Sequence, residues 1–126
     1  MSTEMVQKAV ADYFAATRAM DASAWVAAFS EDGTSYEPAT PPARGHEALR
    51  QFFDGIAGAF SQFGLTEDNV FITGNEAAVK WTGRGVGVNG REVVFEGIDI
   101  FEINEAGKIQ NVRAYWNAAA LFAQLQ

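Results

Sequence analysis

Between residues 3 and 19 the apolar positions recur at steps of three and four. Val6, Ala9, Val10, Tyr13, Ala16 and Thr17 form one stripe, which predicts a helix with Tyr13 on its buried side. Asp21 and Ser23 are placed to cap a second, shorter helix through SAWVAAF, and EDG at 31–33 is expected to end it. TSYEP then predicts a short strand closed by Pro38. ATPPARG follows as a stiff connection, because proline fixes its own φ and keeps its predecessor extended. From His46 a third helix is predicted, with Leu49, Phe52, Phe53, Ile56, Ala59, Phe60 and Phe63 at helical spacing.

In the second half the period changes from about 3.6 to 2, the signature of a switch from helix to sheet. Four strands are predicted, over 65–73, 76–88, 91–103 and 108–117, separated by Gly74-Asn75, Asn89-Gly90 and the turn NEAG. Asn-Gly favours a tight hairpin because both residues accept positive φ, so an antiparallel meander follows. The tail NAAALFAQLQ fits either a short helix or an extension of the last strand. Helices first and a long twisted sheet after them predict an α+β fold, with N-terminal helices packed on a curved, mostly antiparallel β-sheet. Such a cone has a mouth, and its interior is a natural small-molecule site.

Composition narrows the classes. A chain of 126 residues, 48% hydrophobic, has room for one core, and a single domain over 1–126 is expected. The absence of cysteine removes disulfides, thiolate metal sites and thiol nucleophiles together. The opening MSTEMVQKAV lacks the basic stretch and apolar core of a secretion signal, so a cytoplasmic location is the expectation. A net charge of -7 repels phosphate backbones and anionic lipid surfaces, and no apolar run approaches the ~20 residues of a membrane span; neither nucleic acid nor membrane is an expected partner. GVGVNG at 85–90 matches the dinucleotide pattern G-x-G-x-x-G, but it sits on a predicted hairpin and opens no helix. His46 is the only histidine, too few for a histidine metal site, and is expected to lie exposed in the first turn of the third helix. No G-x-S-x-G elbow is present.

One position breaks the strand pattern. Along 93–103 one face carries Val93, Phe95, Gly97, Asp99, Phe101 and Ile103, and Asp99 is its single charge. An ionised carboxylate there is costly to desolvate, so it must be paired, wetted or held neutral as an acid that donates a hydrogen bond. Tyr13 on the first helix and Glu37 at the end of the first strand are the other ionisable groups whose burial the pattern suggests. Taken singly, a buried tyrosine usually ties its hydroxyl to a carbonyl, and a glutamate before proline is usually solvated. Arg84, in strand alternation with Lys80, Thr82, Val86 and Val88, fits either a solvated sheet face or the cone interior.

The order of these pieces, a helix carrying Tyr13, then SYEP, then PPARGHEALRQFF, then FEGIDIFEINEAGKIQNVRAYW, resembles the bacterial ketosteroid isomerases (steroid delta-isomerases) within the nuclear-transport-factor-2-like, SnoaL-like superfamily. The resemblance runs over nearly the whole chain and is most specific in IDIFEINEAGKIQ, in AYW, and in the spacing from Tyr13 to Glu37-Pro38. It implies a cone-shaped α+β fold, a proton-shuttling base at Glu37, and an oxyanion hole made by Tyr13 and a protonated Asp99; the neutral acid is a property of that family. It implies a substrate pocket lined by Phe53, Phe60, Phe95, Val112, Ala114 and Trp116, and a homodimer paired through the sheets. The expected ligand is a small hydrophobic or steroid-like ketone.

Moving a C=C bond into conjugation with a ketone leaves negative charge on the carbonyl oxygen, and two donors in a dry pocket answer it. A carboxylate on a flexible arm can carry the proton, so no metal or cofactor is needed. The chain departs from the family in three places: Glu37 stands where the base is usually aspartate, and Phe29 and Phe53 stand where some members extend the tyrosine hydrogen-bond chain. The paired aspartate and arginine of limonene-type epoxide hydrolases are missing, since Gly97 and Ile98 precede Asp99. A SnoaL-like polyketide cyclase and a non-catalytic binder of a hydrophobic ligand remain alternatives on the same fold.

Overall fold

The computed structural model describes residues 2–126. Its elements run α1 (Thr3–Arg18), α2 (Ala22–Ala27), β1 (Phe29–Tyr36), β2 (Ala43–Arg44), α3 (His46–Ala57), β3 (Phe60–Thr73), β4 (Glu76–Gly87), β5 (Glu92–Ile103), β6 (Ile109–Trp116) and α4 (Ala118–Gln124). They form an α+β fold with a curved, unclosed sheet in the order β2-β1-β6-β5-β4-β3. The meander β3 to β6 is antiparallel as predicted, while β1 joins β6 in parallel and makes the sheet mixed.

Helix α1 begins where Ser2 accepts from the Met5 amide and buries Val6, Ala9, Val10, Tyr13, Phe14, Ala16 and Thr17 against the sheet. Its last turn is fastened to β3. Thr17 Oγ1 accepts from the Leu65 amide at 3.0 Å, and Arg18 Nη1 donates to the Leu65 carbonyl at 2.9 Å and to Glu67 Oε1 at 2.8 Å. The helix lies so close to β3 at this point that a Cβ on Gly64 would stand 3.0 Å from the Arg18 Cα. Asp21, and not Ser23, caps α2 by accepting from the Ala24 amide.

Two boundaries differ from the periodicity. EDG does not end α2; it lies inside β1, which starts at Phe29. There Phe29 pairs with Ile109, and residues 30–33 form a bulge before the ladder resumes at Thr34 opposite Asn111. The third helix stops at Ala57, with Gly58 donating back to the Asp54 carbonyl, and Phe60 and Phe63 belong to β3. Their spacing imitates a helix, but Phe60 pairs with Gly87 and Phe63 with Gly85, and the missing side chain at Gly85 makes room for the Phe60 ring. The tail is a helix: Asn117 caps α4 by accepting from the Ala120 amide, and Leu121 is buried beside Phe60 and Val93. Gly85-Val86-Gly87 closes β4 and the rest of GVGVNG forms the turn into β5, so no helix follows it. His46 opens α3 as predicted, but it is half-buried, with Nε2 donating to the Phe29 carbonyl at 3.0 Å.

Candidate functional site

Alternation along β5 sends Val93, Phe95, Gly97, Asp99, Phe101 and Ile103 to the face that meets the helices. Asp99 is 1% exposed. Tyr13 reaches the same place from α1, its ring edge-on to Phe101 at 5.0 Å and 5.6 Å from the Trp25 ring. Glu37 comes from the residue after β1, where the pairing of Tyr36 with Arg113 brings the end of β1 alongside β6. Ser35 Oγ donates to Glu37 Oε2 at 2.6 Å and Trp116 Nε1 donates to Glu37 Oε1 at 3.1 Å, so both carboxylate oxygens are held.

Tyr13, Glu37 and Asp99 line one cavity with Thr17, Trp25, Phe52, Phe53, Ile56, Phe63, Leu65, Trp81, Phe95, Trp116 and Leu121. Its volume is ≈ 50 Å³. That is far below the roughly 300–1,000 Å³ of a drug-sized pocket, so the cavity takes the reactive end of a ligand or a small one.

Burial in these apolar surroundings pushes the Asp99 carboxyl well above the usual carboxylate range, and the neighbouring Glu37 charge pushes it further. Trp81 and Tyr13 lie near enough to oppose that rise, yet Asp99 Oδ1 and Trp81 Nε1 have no partner in hydrogen-bond geometry. Burial also raises Glu37, against the donors from Ser35 and Trp116. The Tyr13 hydroxyl is raised well above its ordinary value by burial first and then by the Asp99 and Glu37 charges, while the Trp25 indole opposes the rise. The site therefore gathers a carboxyl whose burial favours its protonated form, a buried phenol and one carboxyl group fastened at both oxygens.

The sequence profile of the SnoaL-like domain matches residues 10–112, which spans all three of these side chains. The chain belongs to the SnoaL-like domain family. Solved structures agree at the level of fold. An NTF2-like protein of unknown function from Burkholderia pseudomallei superposes with a TM-score of 0.87 at 18% identity, covering 100% of this chain and 99% of its own. TerC, crystallised with polyporic acid, gives 0.85 at 13% identity, with 96% and 98% covered. A candidate polyketide cyclase from Xanthomonas campestris pv. campestris gives 0.79 at 20% identity, with 98% of each chain covered.

Within this SnoaL-like domain, Phe53, Phe95 and Trp116 line the cavity. Phe60, Val112 and Ala114 do not. Phe60 is displaced because β3 has already begun there, and its ring packs on Phe63, 5.0 Å away, in the cluster under α4. Val112 is wholly buried in the main core, paired with Ser35 on one side and Phe101 on the other. Ala114 stands opposite Asp99 in the ladder, but its methyl is too short to reach the space and it borders an outer groove with Tyr36 and Tyr115. Arg84 is exposed on the far side of β4, facing away from the cavity, in register with Val94. Phe29 and Phe53 pack as rings around Trp25, at 4.8 and 5.2 Å.

Among the residues of this SnoaL-like domain's site that escaped the sequence reading are Ser35 and Trp81. Ser35 shares strand parity with Glu37, an i, i+2 relation that places both side chains on one side of the chain. Trp81 shares parity with Ala77 and Val79, and the hairpin register sets it opposite Gly97, two residues from Asp99. Strand alternation combined with the turn positions carries both signals.

Proposed function

We propose that this SnoaL-like domain is an enolising isomerase of the ketosteroid type. Glu37 takes a proton from the carbon beside a ketone; the C–H electron pair becomes the C=C bond of a dienolate and the carbonyl π pair moves onto oxygen. Tyr13 and protonated Asp99 donate hydrogen bonds to that oxygen. Glu37 then returns the proton two bonds further along the conjugated system, the oxygen pair re-forms the carbonyl, and the double bond ends in conjugation with it. Atoms and charge balance within the substrate.

The observation that carries this reading is Asp99 itself: a carboxyl 1% exposed, beside a buried tyrosine, on an apolar strand face, with no cation acting on it. Burial without a counter-charge favours the neutral acid, and a neutral acid is a donor. Removing one such donor typically costs about 10²- to 10³-fold in rate. The test is the growth of enone absorbance when a β,γ-unsaturated cyclic ketone is mixed with the protein, falling sharply in Glu37→Gln and Asp99→Leu. No turnover of either a cyclohexenone or a 3-ketosteroid would overturn the isomerase.

A second reading has its own support. With Ser35 on one oxygen and Trp116 on the other, Glu37 is held in one place, which suits a base serving a single carbon. A SnoaL-like cyclase needs that: the base removes one proton, the enolate carbon attacks a second carbonyl of the same molecule, that carbonyl's π pair moves onto its oxygen, and the oxygen takes the proton back from Glu37. In deuterated water, exchange of the α-proton without movement of the double bond would favour this reading; no exchange at all would leave a binder. Exposed Tyr36, Ile98 and Tyr115 on the outer sheet face support pairing of two copies through their sheets, as in the resembled family.

A further inference from the structure

Trp81 and Asp99 are diagonal neighbours on the inward face: Val79 pairs with Asp99, and Trp81 pairs with Gly97. Both side chains line the cavity, both are almost fully buried, and each carries a polar atom without a partner, Nε1 on the indole and Oδ1 on the carboxyl. Buried polar groups are normally satisfied, and leaving one unmade is costly. The indole lies near enough to act on the Asp99 carboxyl yet outside hydrogen-bond geometry with it, which leaves a place for a group that accepts from one and donates to the other. The placement of the indole is built into the sheet. Gly97 leaves the space it lies across, since a Cβ there would come within 2.5 Å of Trp81 Cζ2, and Phe95 meets the ring edge-on at 5.7 Å.

An indole N–H only donates, whereas a neutral carboxyl offers one O–H and one C=O. In the proposed reaction the Asp99 O–H is directed to the substrate carbonyl. The carboxyl C=O and the indole N–H then remain, and together they match a group that accepts from one and donates to the other. We propose that Trp81 is a third hydrogen-bonding residue of the site, which, with the Asp99 carboxyl C=O, binds a hydroxyl adjacent to the reacting carbonyl, so that the ligand class is a hydroxy-carbonyl compound or its enol and not an isolated ketone. This rests on the enolate reading for the position of the carbonyl.

The probes are phenol, which mimics the enolate oxygen alone, and catechol, which adds the neighbouring hydroxyl. Calorimetric titration of the full chain is expected to show catechol binding about ten-fold tighter than phenol, the scale of one satisfied hydrogen bond. In Trp81→Phe the difference is expected to vanish while phenol affinity holds. Catechol binding no better than phenol, or an advantage that survives in Trp81→Phe, overturns the proposal. A variant in which both affinities fall together also overturns it, since the indole would then serve the first oxygen or the packing only. Failure of phenol itself to bind the unaltered chain is a different result: it removes the oxyanion hole, and this proposal with it. If Trp81→Phe does not fold, the three indole N–H resonances of the unaltered protein give the same answer, since catechol must move the assigned Trp81 signal and phenol must not.

Discussion

Ser35 Oγ donates a 2.6 Å hydrogen bond to Glu37 Oε2 from a side chain that solvent does not reach. A donor favours the ionised carboxylate, so Ser35 works against the burial that raises Glu37. Ser35→Ala removes the donor, and Glu37 then holds its proton to higher pH. The acidic limb of the pH–rate profile is expected to move upward, with activity near neutrality reduced about ten-fold, the scale of a charge-assisted hydrogen bond. Ser35→Thr restores a hydroxyl and should bring the limb back. A Ser35→Ala profile superimposable on the parent would show that Ser35 only fills space.

Asp99 links protonation to stability. Its folded value lies well above that of the unfolded chain because burial penalises the charge. Above the ordinary carboxylate range, near pH 3.9, the unfolded chain releases this proton while the folded chain keeps it. The folded state therefore binds more protons, and stability falls as pH rises until Asp99 ionises in place, by at most about 1.4 kcal/mol per pH unit for one group. Glu37 is raised in the same direction, against the donors from Ser35 and Trp116, and contributes a fall of the same sign over a narrower pH range. Urea midpoints measured upward from pH 4 should decline in the parent and decline less steeply in Asp99→Asn. An unchanged slope would place the ionised carboxylate in the folded protein at neutral pH.

Much of this arrangement was legible in the residues, and what was not has identifiable causes. The four strands of the meander followed from alternation and from Gly74-Asn75, Asn89-Gly90 and NEAG; Gly74, Gly90 and Gly107 all adopt positive φ. The inward side of β5, with Asp99 on it, followed from period 2 alone. The third helix was read as too long because Phe60 and Phe63 keep a helical spacing, and only pairing with Gly87 and Gly85, more than twenty residues away, converts them to strand. Phe60, Val112 and Ala114 stand outside the cavity lining for a related reason: strand parity shows that a side chain points inward, but not how far it extends or what already fills the space. Trp81 was overlooked because its orphaned indole nitrogen exists only in three dimensions, where β4 and β5 set it diagonally from Asp99.

Gly97 and Gly55 make a matched pair for the claim that the cavity wall is tightly shaped. A Cβ on Gly97 would stand 2.5 Å from Trp81 Cζ2, 2.6 Å from the Tyr115 carbonyl oxygen and 2.9 Å from Trp116 Cβ. The rings are flanked by Phe95 and the carbonyl belongs to the sheet, so none of the three yields cheaply. Gly97→Ala is expected to cost about 1–3 kcal/mol through overpacking and to displace the Trp81 and Trp116 indoles. Gly55, in the last turn of α3, has nothing within 4 Å of the same added methyl. Gly55→Ala should raise stability by about 0.5–1 kcal/mol, because alanine loses less backbone freedom in a helix. Denaturant midpoints for the two variants should move in opposite directions, and the preference for catechol over phenol, as a second readout, should be lost only in Gly97→Ala. Equal tolerance at both positions would mean that Trp81 and Trp116 are free to shift, and an indole free to shift neither fastens Glu37 nor holds a hydroxyl beside the enolate oxygen.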